Sequence, residues 1–437
     1  MIIKYAKDGV LAEEIMKLAK IEGLSPRKLL RRVAEGRIVI ARNVTRKDLS
    51  AIKLIGIGSG LRTKINANIG TSMFVNDLEM EKRKLQIAIK YGTDTVMDLS
   101  TGGDLDAIRR ELIRISTVPF GTVPIYQAYI EAVKKKKSPV FMTEDDMLNV
   151  IERHLKDGVD FMTIHAGIRY EHVMKLKNIG RIAGIVSRGG AILAAWMYYN
   201  KAENPLYKNY DYILEMFQDY DAVISLGDAL RPGAIVDAHD YFQIAELVTI
   251  AELVHRSRKA NVQVMVEGPG HVPINEVIMD IKLQKRITRG APYYVLGPIV
   301  TDISTPYDHI SAAIGAALAA AAGADFLCYL TPSEHLSLPN EEQVKLGVIA
   351  AKIAAHAGDI AKYGQRAKKK DLEVAVARAK QDWKRIVELA IEPELAKKIH
   401  EQFGLQPEKG CTMCGSLCVY IILEDLLREA RGDEKSA

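Results

Sequence analysis

Short apolar runs alternate with longer helical stretches through the middle of the chain. Nine such runs follow one another from about residue 65 onward: KINANI, DTVMDL, VPFGTV, DFMTIH, IAGIVS, AVISL, VQVMVE, YYVLG and DFLCYL. Each run is followed by a polar or glycine-containing loop and usually by a helical segment. Strands separated by helices indicate βαβ units, and successive βαβ units build a parallel sheet.

The polar residues near the ends of these runs favour one α/β architecture, the (β/α)8 TIM-type barrel. Barrel enzymes assemble their active sites at the C-terminal ends of the strands. The polar residues at or just past those ends are Asn68, Asp98, Tyr126, His165, Ser187, Arg188, Asp228, Glu267 and His271. A doubly wound sheet is the alternative architecture. Because a barrel needs eight strands, one of the nine runs lies outside the ring or is not a strand.

The flanking sequences predict helices. Ser25 is placed to cap a helix that begins at Pro26 and ends at Gly36. After residue 335, segments rich in Ala, Lys and Glu predict helices over 340–363 and 371–399, followed by a cysteine loop, a helix to about residue 427 and a disordered tail. We therefore expect an N-terminal accessory segment (1–50), a catalytic barrel domain (51–336) and a C-terminal helical domain with the cysteine loop (337–437).

Composition narrows the class of protein further. A chain of 437 residues that is 48% hydrophobic can bury a large core, and its net charge of +5 fits an anionic metabolite. The lysines at 134–137 lack interleaved aromatic residues and predict a solvated helix end, so no nucleic-acid partner is expected. The apolar stretch 312–322 is too short to span a bilayer, so no membrane partner is expected. With four cysteines and no signal-like N-terminus, we expect a cytoplasmic protein.

Three cysteines, Cys411, Cys414 and Cys418, lie within the eight residues CTMCGSLC. Three thiolates hold an iron-sulfur cluster with one open iron, to which a substrate or cofactor can bind. A structural zinc site is the alternative, but it needs four closed ligands and no fourth cysteine or histidine lies nearby. The spacing therefore favours a cluster. The remaining cysteine, Cys328, lies inside an apolar run and predicts core packing.

Two loop histidines are candidate metal ligands. His271 in VEGPGHVP and His335 in TPSEHLSLP each follow an apolar strand, and neutral imidazole is a common ligand of divalent metals. Two hydrogen-bonded loop histidines without a metal are the alternative. The residues alone leave these two interpretations equally open.

Two loops predict an anionic substrate. Ser187, Arg188 and Gly189 end one run and open a helix, which suits a phosphate, although a tight turn with a surface arginine is the alternative. The stretch LGDALRPG places Asp228 and Arg231 in a similar position after the next run. The substrate is then an anionic polar heterocycle or a sugar phosphate.

Two further predictions concern Glu267 and the run GIGSG. Glu267 is a candidate for binding substrate, or for acid-base work if burial raises its pKa, with a carboxylate bound to local backbone amides as the alternative. The run GIGSG at residues 56–60 lacks the spacing of a dinucleotide-binding loop and predicts a turn.

Ten ordered motifs resemble a known family across nearly the whole chain. They are GLRTKINANIGTS, TVMDLSTGGDLD, GTVPIYQA, DFMTIHAGI, SRGG, DALRPG, MVEGPGHVP, YYVLGPIVTDI, GADFLCYLTPSEH and CTMCGSLC. The chain is similar to the phosphomethylpyrimidine synthases, radical S-adenosylmethionine enzymes of thiamin biosynthesis. The resemblance implies a barrel, a C-terminal cluster domain, and a homodimer in which the cluster arm reaches the partner's active site.

The resemblance also implies the reaction. The substrate is 5-aminoimidazole ribotide, which is rearranged to 4-amino-5-hydroxymethyl-2-methylpyrimidine phosphate with release of formate and carbon monoxide. The open iron of a [4Fe-4S] cluster binds S-adenosylmethionine. One electron, from a low-potential donor such as flavodoxin or ferredoxin, then cleaves a carbon-sulfur bond to give the 5'-deoxyadenosyl radical. This radical removes hydrogen from the ribotide.

Matching motifs carry the family's site residues onto this sequence. Glu267, Cys411, Cys414 and Cys418 are implied as catalytic, the cysteines as cluster ligands, and His271 and His335 as ligands of Zn2+ or Fe2+. The implied substrate contacts are Asn68, Met97, Tyr126, His165, Ser187, Arg188, Gly189, Asp228, Ala229, Leu230, Arg231, Glu267 and Tyr294.

Two departures from the family motifs keep rival functions open. Ala229 stands where the family pattern has glycine, and the spacing C-x2-C-x3-C is one residue shorter than the usual C-x2-C-x4-C. One rival is 5-hydroxybenzimidazole synthase, a related enzyme that converts the same ribotide into a cobamide lower-ligand precursor. The other is a non-catalytic protein in which the cysteine loop holds zinc.

Overall fold

The computed structural model describes residues 1–46, 49–136, 138–176, 180–404 and 410–423. Its first elements are the helices α1 (Ile2–Lys7), α2 (Glu13–Glu22) and α3 (Pro26–Ala34) and the strands β1 (Ile38–Ile40) and β2 (Gly56–Gly58). Helix α3 starts at Pro26 as predicted. The turn predicted at 56–60 is wrong for its first three residues, because β2 pairs antiparallel with β1.

Eight parallel strands close into a barrel, in the order β10-β3-β4-β5-β6-β7-β8-β9. The strands are β3 (Lys64–Ile69), β4 (Thr95–Asp98), β5 (Phe120–Thr122), β6 (Phe161–Ile164), β7 (Val223–Leu226), β8 (Gln263–Gly268), β9 (Tyr293–Leu296) and β10 (Phe326–Cys328). The α/β fold class and the (β/α)8 TIM-type barrel are therefore confirmed, and the doubly wound alternative is excluded.

The run IAGIVS is the one predicted strand that does not join the barrel. Residues 182–187 carry no strand, and Ile185 forms only an isolated antiparallel bridge with Pro232. The run contains a left-handed Gly184 (φ 63°), which breaks the extended backbone that a strand needs. It instead leads into the helix that begins at Arg188.

Helices follow each barrel strand. They are α4 (Leu78–Tyr91), α5 (Leu105–Ile115), α6 (Pro124–Lys136), α7 (Glu144–Lys156), α8 (Tyr170–Leu176), α9 (Arg188–Asn200), α10 (Pro205–Lys208), α11 (Tyr210–Tyr220), α12 (Tyr241–Lys259), α13 (Val277–Ile287), α14 (Asp308–Ala322) and α15 (Glu341–Tyr363). None of the described helices has the length and apolar content that crossing a bilayer requires.

Large side chains fill the barrel interior below the site. Phe161 of β6 and Phe326 of β10 meet edge to face, with ring centroids 6.2 Å apart. Gly121 of β5 makes room for the Phe161 ring, because a β-carbon there would lie 2.3 Å from its Cζ. The interior is a packed core, and free space remains at the strand ends.

The N-terminal segment is bound to the opposite end of the barrel from the site. The backbone N-H of Ile40 donates to Gln263, the first residue of β8, at 2.7 Å. The N-H of Asn43 donates to Asp160, directly before β6, at 2.9 Å. Because these partners stand at the N-terminal ends of strands, the segment leaves the C-terminal ends of the barrel open.

The chain divides into two compact units, Met1–Lys362 and Tyr363–Ala437. Helix α15 falls almost wholly in the first unit, although the predicted boundary at 336/337 placed it in the C-terminal domain. Its Val344, Val348 and Ala351 are part of the barrel core, so α15 serves as the eighth barrel helix.

The second unit contains α16 (Lys369–Ala379), α17 (Trp383–Leu389), α18 (Pro393–Glu401) and α19 (Val419–Ile422). The prediction of one long helix over 371–399 is wrong. Gln381 has a left-handed backbone (φ 53°), and Pro393 cannot continue a helix, so the segment breaks into three. Residues 424–437, with the rest of the predicted last helix and the tail, lie outside the described residues.

Candidate active site

A cavity of about 300 Å³ opens at the C-terminal ends of the barrel strands. Ten of the predicted site residues line it: Asn68, Met97, Tyr126, His165, Arg188, Arg231, Glu267, His271, Tyr294 and His335. They come from all eight barrel strands or from the loops and helix starts that follow them. The fold thus brings together residues that stand far apart in the sequence.

Glu267, near the end of β8, is held by hydroxyl groups from two neighbouring strands. Thr163 Oγ1 and Ser225 Oγ both donate to Glu267 Oε1, at 2.7 and 2.8 Å. Burial raises the pKa of the Glu267 carboxyl, which the two hydroxyl donors and the nearby Arg231 only partly offset. A carboxyl with a raised pKa at a cavity wall is suited to acid-base work.

His165, just past β6, is a neutral imidazole. Burial, and then the charge of Arg231, lower its pKa to about 3. Its Nδ1 is buried and has no hydrogen-bond partner in the described part of the chain. A buried ring nitrogen without a partner is suited to bind a ligand.

Asp228 and Arg231 form a buried ion pair, with 3.2 Å between Arg231 Nη1 and Asp228 Oδ1. Burial raises the pKa of Asp228 well above its ordinary value, in spite of the arginine. Asp228 Oδ2 and Arg231 Nε find no partner among the residues that the structure describes. Arg231 lines the main cavity, whereas Asp228 lines a smaller one behind it.

Arg188, the first residue of α9, brings a second cation to the cavity. Its guanidinium lies 4.9 Å from the ring centroid of Tyr126, which also lines the cavity. Burial raises the pKa of Tyr126, so its hydroxyl stays protonated and can donate. Two guanidinium groups, one of them at a helix N-terminus, suit an anionic ligand.

Five predicted substrate contacts do not line the main cavity: Asp228, described above, and Ser187, Gly189, Ala229 and Leu230, which support residues that do. Ser187 Oγ accepts from the N-H of Gly190 at 3.2 Å and caps α9. Gly189 packs against the His165 ring. The N-H groups of Ala229 and Leu230 donate to the carboxylate of Glu246 on α12.

Four polar groups at or next to the cavity were not predicted as site residues: Thr163 and Cys328, which line it, and Asn66 and Ser225, which hydrogen-bond to residues that do. Asn66 Nδ2 donates to Asn68 Oδ1 at 2.7 Å and to the hydroxyl of Tyr294 at 2.8 Å. Side chains two positions apart share one face of a strand. Asn66 is two positions before Asn68, and Thr163 is two positions before His165. The sequence therefore indicates that Asn66 and Thr163 face the barrel interior as their partners do.

Cys328 is buried, as core packing predicts, yet it also lines the cavity. Its Sγ accepts from Asn68 Nδ2 at 3.1 Å. Burial raises the pKa of the thiol to about 12, so the group is an uncharged part of the cavity wall.

His271 and His335 lie side by side at the cavity, with ring centroids 5.5 Å apart. The Nδ1 of His271 is 2.7 Å from Asp302, and the Nδ1 of His335 is 3.0 Å from Asp308. Burial lowers the pKa of His271, which favours the neutral form that binds metals. Two imidazoles side by side fit a divalent cation whose other ligands come from water or substrate.

The three C-terminal cysteines lie in the described stretch 410–423 and form no disulfide. Cys414 is exposed, and Cys411 and Cys418 are half-buried. The 3-10 helix Gly415–Leu417 lies between Cys414 and Cys418. Three thiols on one loop match the donor chemistry of a cluster with an open iron. Among the described residues, no three His, Cys, Asp or Glu side chains are grouped so as to hold a metal ion.

Comparison with known proteins gives consistent matches over the full length. A family model described as the radical SAM ThiC family matches residues 1–425. A phosphomethylpyrimidine synthase from Ignicoccus hospitalis is 55% identical over 429 residues, covering 98% of this chain and 97% of the relative. Phosphomethylpyrimidine synthases from Sulfolobus acidocaldarius and Pyrobaculum aerophilum are 55% and 54% identical, each over 95% of this chain and 96% of the relative.

Proposed function

The chain belongs to the radical SAM ThiC family of thiamin biosynthesis and is an enzyme of that family, and we propose that it acts on 5-aminoimidazole ribotide. The proposed products are 4-amino-5-hydroxymethyl-2-methylpyrimidine phosphate, formate and carbon monoxide. The ribotide has a phosphate and a polar five-membered ring, and the cavity offers groups suited to both.

The observation that carries the proposal is the donor set of the cavity, in which two guanidinium groups meet a neutral imidazole, a carboxyl and a phenol. Arg188, at the N-terminus of α9, and Arg231 are suited to the phosphate. The neutral His165, the buried Glu267 and the hydroxyl of Tyr126 are suited to the ring and ribose, which need donors and acceptors without a fixed positive charge. Arg231 Nε is a buried polar atom without a partner among the described residues, and a bound ribotide would supply one.

Two further groups belong to the proposal. Cys411, Cys414 and Cys418 would hold a [4Fe-4S] cluster, which when bound supplies the electron that cleaves S-adenosylmethionine. His271 and His335 would hold Zn2+ or Fe2+ at the cavity. Asn68, Met97 and Tyr294 line the same cavity wall, where they contact the substrate in this proposal.

The mouth of the barrel supports a proposed homodimer. Large apolar side chains on loops after the strands are almost fully exposed: Met73 (82%), Phe74 (99%), Ile182 (85%) and Ile303 (91%). Apolar side chains grouped around a cavity mark an interaction surface. In the proposal a second copy of the chain covers this face in the cytoplasm, and a flavodoxin or ferredoxin supplies the electron.

The alternative product, 5-hydroxybenzimidazole, gains nothing from the altered loop. Ala229 is fully buried and does not line the cavity, so its β-carbon leaves the cavity wall unchanged. The deciding experiment incubates the reduced, cluster-loaded enzyme with 5-aminoimidazole ribotide and S-adenosylmethionine and identifies the products by mass spectrometry. The pyrimidine phosphate with 5'-deoxyadenosine supports the proposal, and a benzimidazole overturns it.

The same preparation tests the non-catalytic rival. Iron and acid-labile sulfide in oxygen-free protein are expected at the ratio of a [4Fe-4S] cluster. Zinc without sulfide would exclude the radical mechanism.

A further inference from the structure

One short segment supplies the carboxylates that contact both cavity histidines. His271 lies in the loop after β8, and His335 lies in the loop after β10. Asp302 lies in the 3-10 helix Asp302–Ser304, and Asp308 is the first residue of α14. Both belong to the segment that runs from β9 into α14. Two histidines from separate loops are thus paired with one connecting segment.

We propose that Asp302 and Asp308 are positioning residues that fix the tautomer and orientation of the two imidazoles. A neutral imidazole carries one N-H group, and a carboxylate can only accept a hydrogen bond when it is ionised. Each Nδ1 therefore carries the hydrogen, and each Nε2 keeps its lone pair. The inference deepens the proposed function, since it rests on the proposed metal site.

The separation of the rings agrees with one shared cation. A metal ion about 2.0–2.1 Å from each Nε2, with roughly tetrahedral geometry, would hold the two ring centroids about 5 Å apart. The observed separation of 5.5 Å is close to that distance, so the two rings are spaced to share one cation.

Each carboxylate is itself held at both oxygens. Asp308 is 1% exposed, and its Oδ1 accepts from Ser304 Oγ at 2.7 Å while its Oδ2 faces His335. Asp302 Oδ2 accepts from the N-H of Ile235 at 2.9 Å while its Oδ1 faces His271. Carboxylates that only neutralise a surface charge do not need such fixed geometry, whereas carboxylates that orient the histidine ligands of a metal do.

The test measures binding of Zn2+ alone, by competition with a chelator, to metal-free protein in which Cys411, Cys414 and Cys418 are replaced by alanine so that their thiols cannot bind zinc. Asp302→Asn and Asp308→Asn are each expected to weaken zinc binding by about 10- to 100-fold. Asp211→Asn is the matched control, because the Asp211 side chain is 78% exposed and its ion pair in the described part of the chain is with Arg256 on α12. Nitrogen-15 NMR of labelled histidine in the metal-free variants is expected to show the Nδ1-H tautomer lost at the ring that faces the substituted residue.

These measurements distinguish a failure of the positioning role from a failure of the proposed metal site. His271→Ala abolishes zinc binding if the metal site is real. If it does so while both asparagine variants bind zinc as their parent protein with both aspartates does and keep the Nδ1-H tautomer, the positioning role is wrong and the metal site stands. If His271→Ala leaves zinc binding unchanged, the metal site and the positioning role both fail.

Discussion

Gly189 lies against the ring of His165 so closely that a β-carbon at this position would be 2.3 Å from His165 Cε1. The next residue, Gly190, is equally constrained, because its β-carbon would be 1.8 Å from the carbonyl oxygen of Ala229. The two glycines therefore let the start of α9 pack onto the imidazole and onto the loop that carries Arg231. Their role in the site is to allow these close contacts, and this role requires no direct contact with the substrate.

Replacing Gly189 by alanine is expected to push the His165 ring out of place. Overpacking a tight contact costs about 1–3 kcal/mol of folding free energy. We expect a loss of stability in that range in urea unfolding, and weaker binding of the ribotide in calorimetry. The control is Gly180→Ala, because a β-carbon at Gly180 meets no atom within 4 Å. If Gly189→Ala matched this control in both measurements, the packing role would be wrong.

His165 is expected to make the folded chain sensitive to acid. Burial and Arg231 lower its pKa to about 3, whereas an unfolded histidine titrates near 6.5. Between these two values the unfolded chain binds a proton that the folded chain does not. The free energy of unfolding is therefore unaffected by the titration of His165 above about pH 6.5 and decreases as the pH falls below that value. The slope is about 1.4 kcal/mol per pH unit. Urea unfolding of wild type and His165→Gln at pH 7.5, 6.0 and 5.0 checks this, since the variant lacks the proton uptake and should show a smaller decrease.

The barrel could be predicted from sequence because eight of the nine apolar runs become barrel strands. The ninth, IAGIVS, has the composition of a strand, but Gly184 and its place directly before the cap of α9 give it another conformation. The pairing of β1 with β2 could not be predicted, because three-residue strands carry too little periodicity. The short helices α16 to α18 follow from local breaks at Gln381 and Pro393, of which only the proline is visible in the sequence.

The candidate site was predictable where residues stand at or just past the ends of the apolar runs. That rule finds His165, Arg188 and Glu267, which line the cavity. It does not find residues that act through another group, because such contacts depend on packing between distant elements. Glu246 is an example, since it lies in the middle of α12 and contacts the Asp228–Arg231 loop only in the folded chain.

Glu246 is expected to hold the loop that presents Arg231. Its carboxylate accepts from the N-H groups of Ala229 at 2.8 Å and Leu230 at 2.6 Å, and it is 2% exposed. In Glu246→Gln one oxygen becomes an NH2 group that faces a backbone N-H, so about 1–3 kcal/mol of stability should be lost. The KM for the ribotide should also rise because the loop is less fixed.

The matched control for Glu246→Gln is Glu252→Gln on the same helix, whose side chain is 52% exposed. Thermal unfolding and initial rates of both variants, measured side by side, check the prediction. A stability and KM for Glu246→Gln equal to those of the control would contradict it.

The two kinds of cysteine are expected to react differently with iodoacetamide. Burial raises the pKa of Cys328 to about 12, so about one thiol in 10,000 is ionised at pH 8, and the thiolate is the reactive form. Cys411, Cys414 and Cys418 are exposed or half-buried. In metal-free folded protein, peptide mass spectrometry should find these three alkylated and Cys328 unmodified, whereas all four should react in urea.

Loading the cluster should protect the three C-terminal thiols from alkylation, because bound sulfur is no longer available as a nucleophile. Cys414→Ala should then lose the cluster and the cleavage of S-adenosylmethionine, while its circular dichroism and its zinc binding remain those of wild type. The reason is that Cys414 belongs to the second compact unit, whereas the barrel core and the two histidines belong to the first. Alkylation of the three thiols at the same rate with and without the cluster, or normal formation of 5'-deoxyadenosine by Cys414→Ala, would show that the three thiols do not hold the cluster.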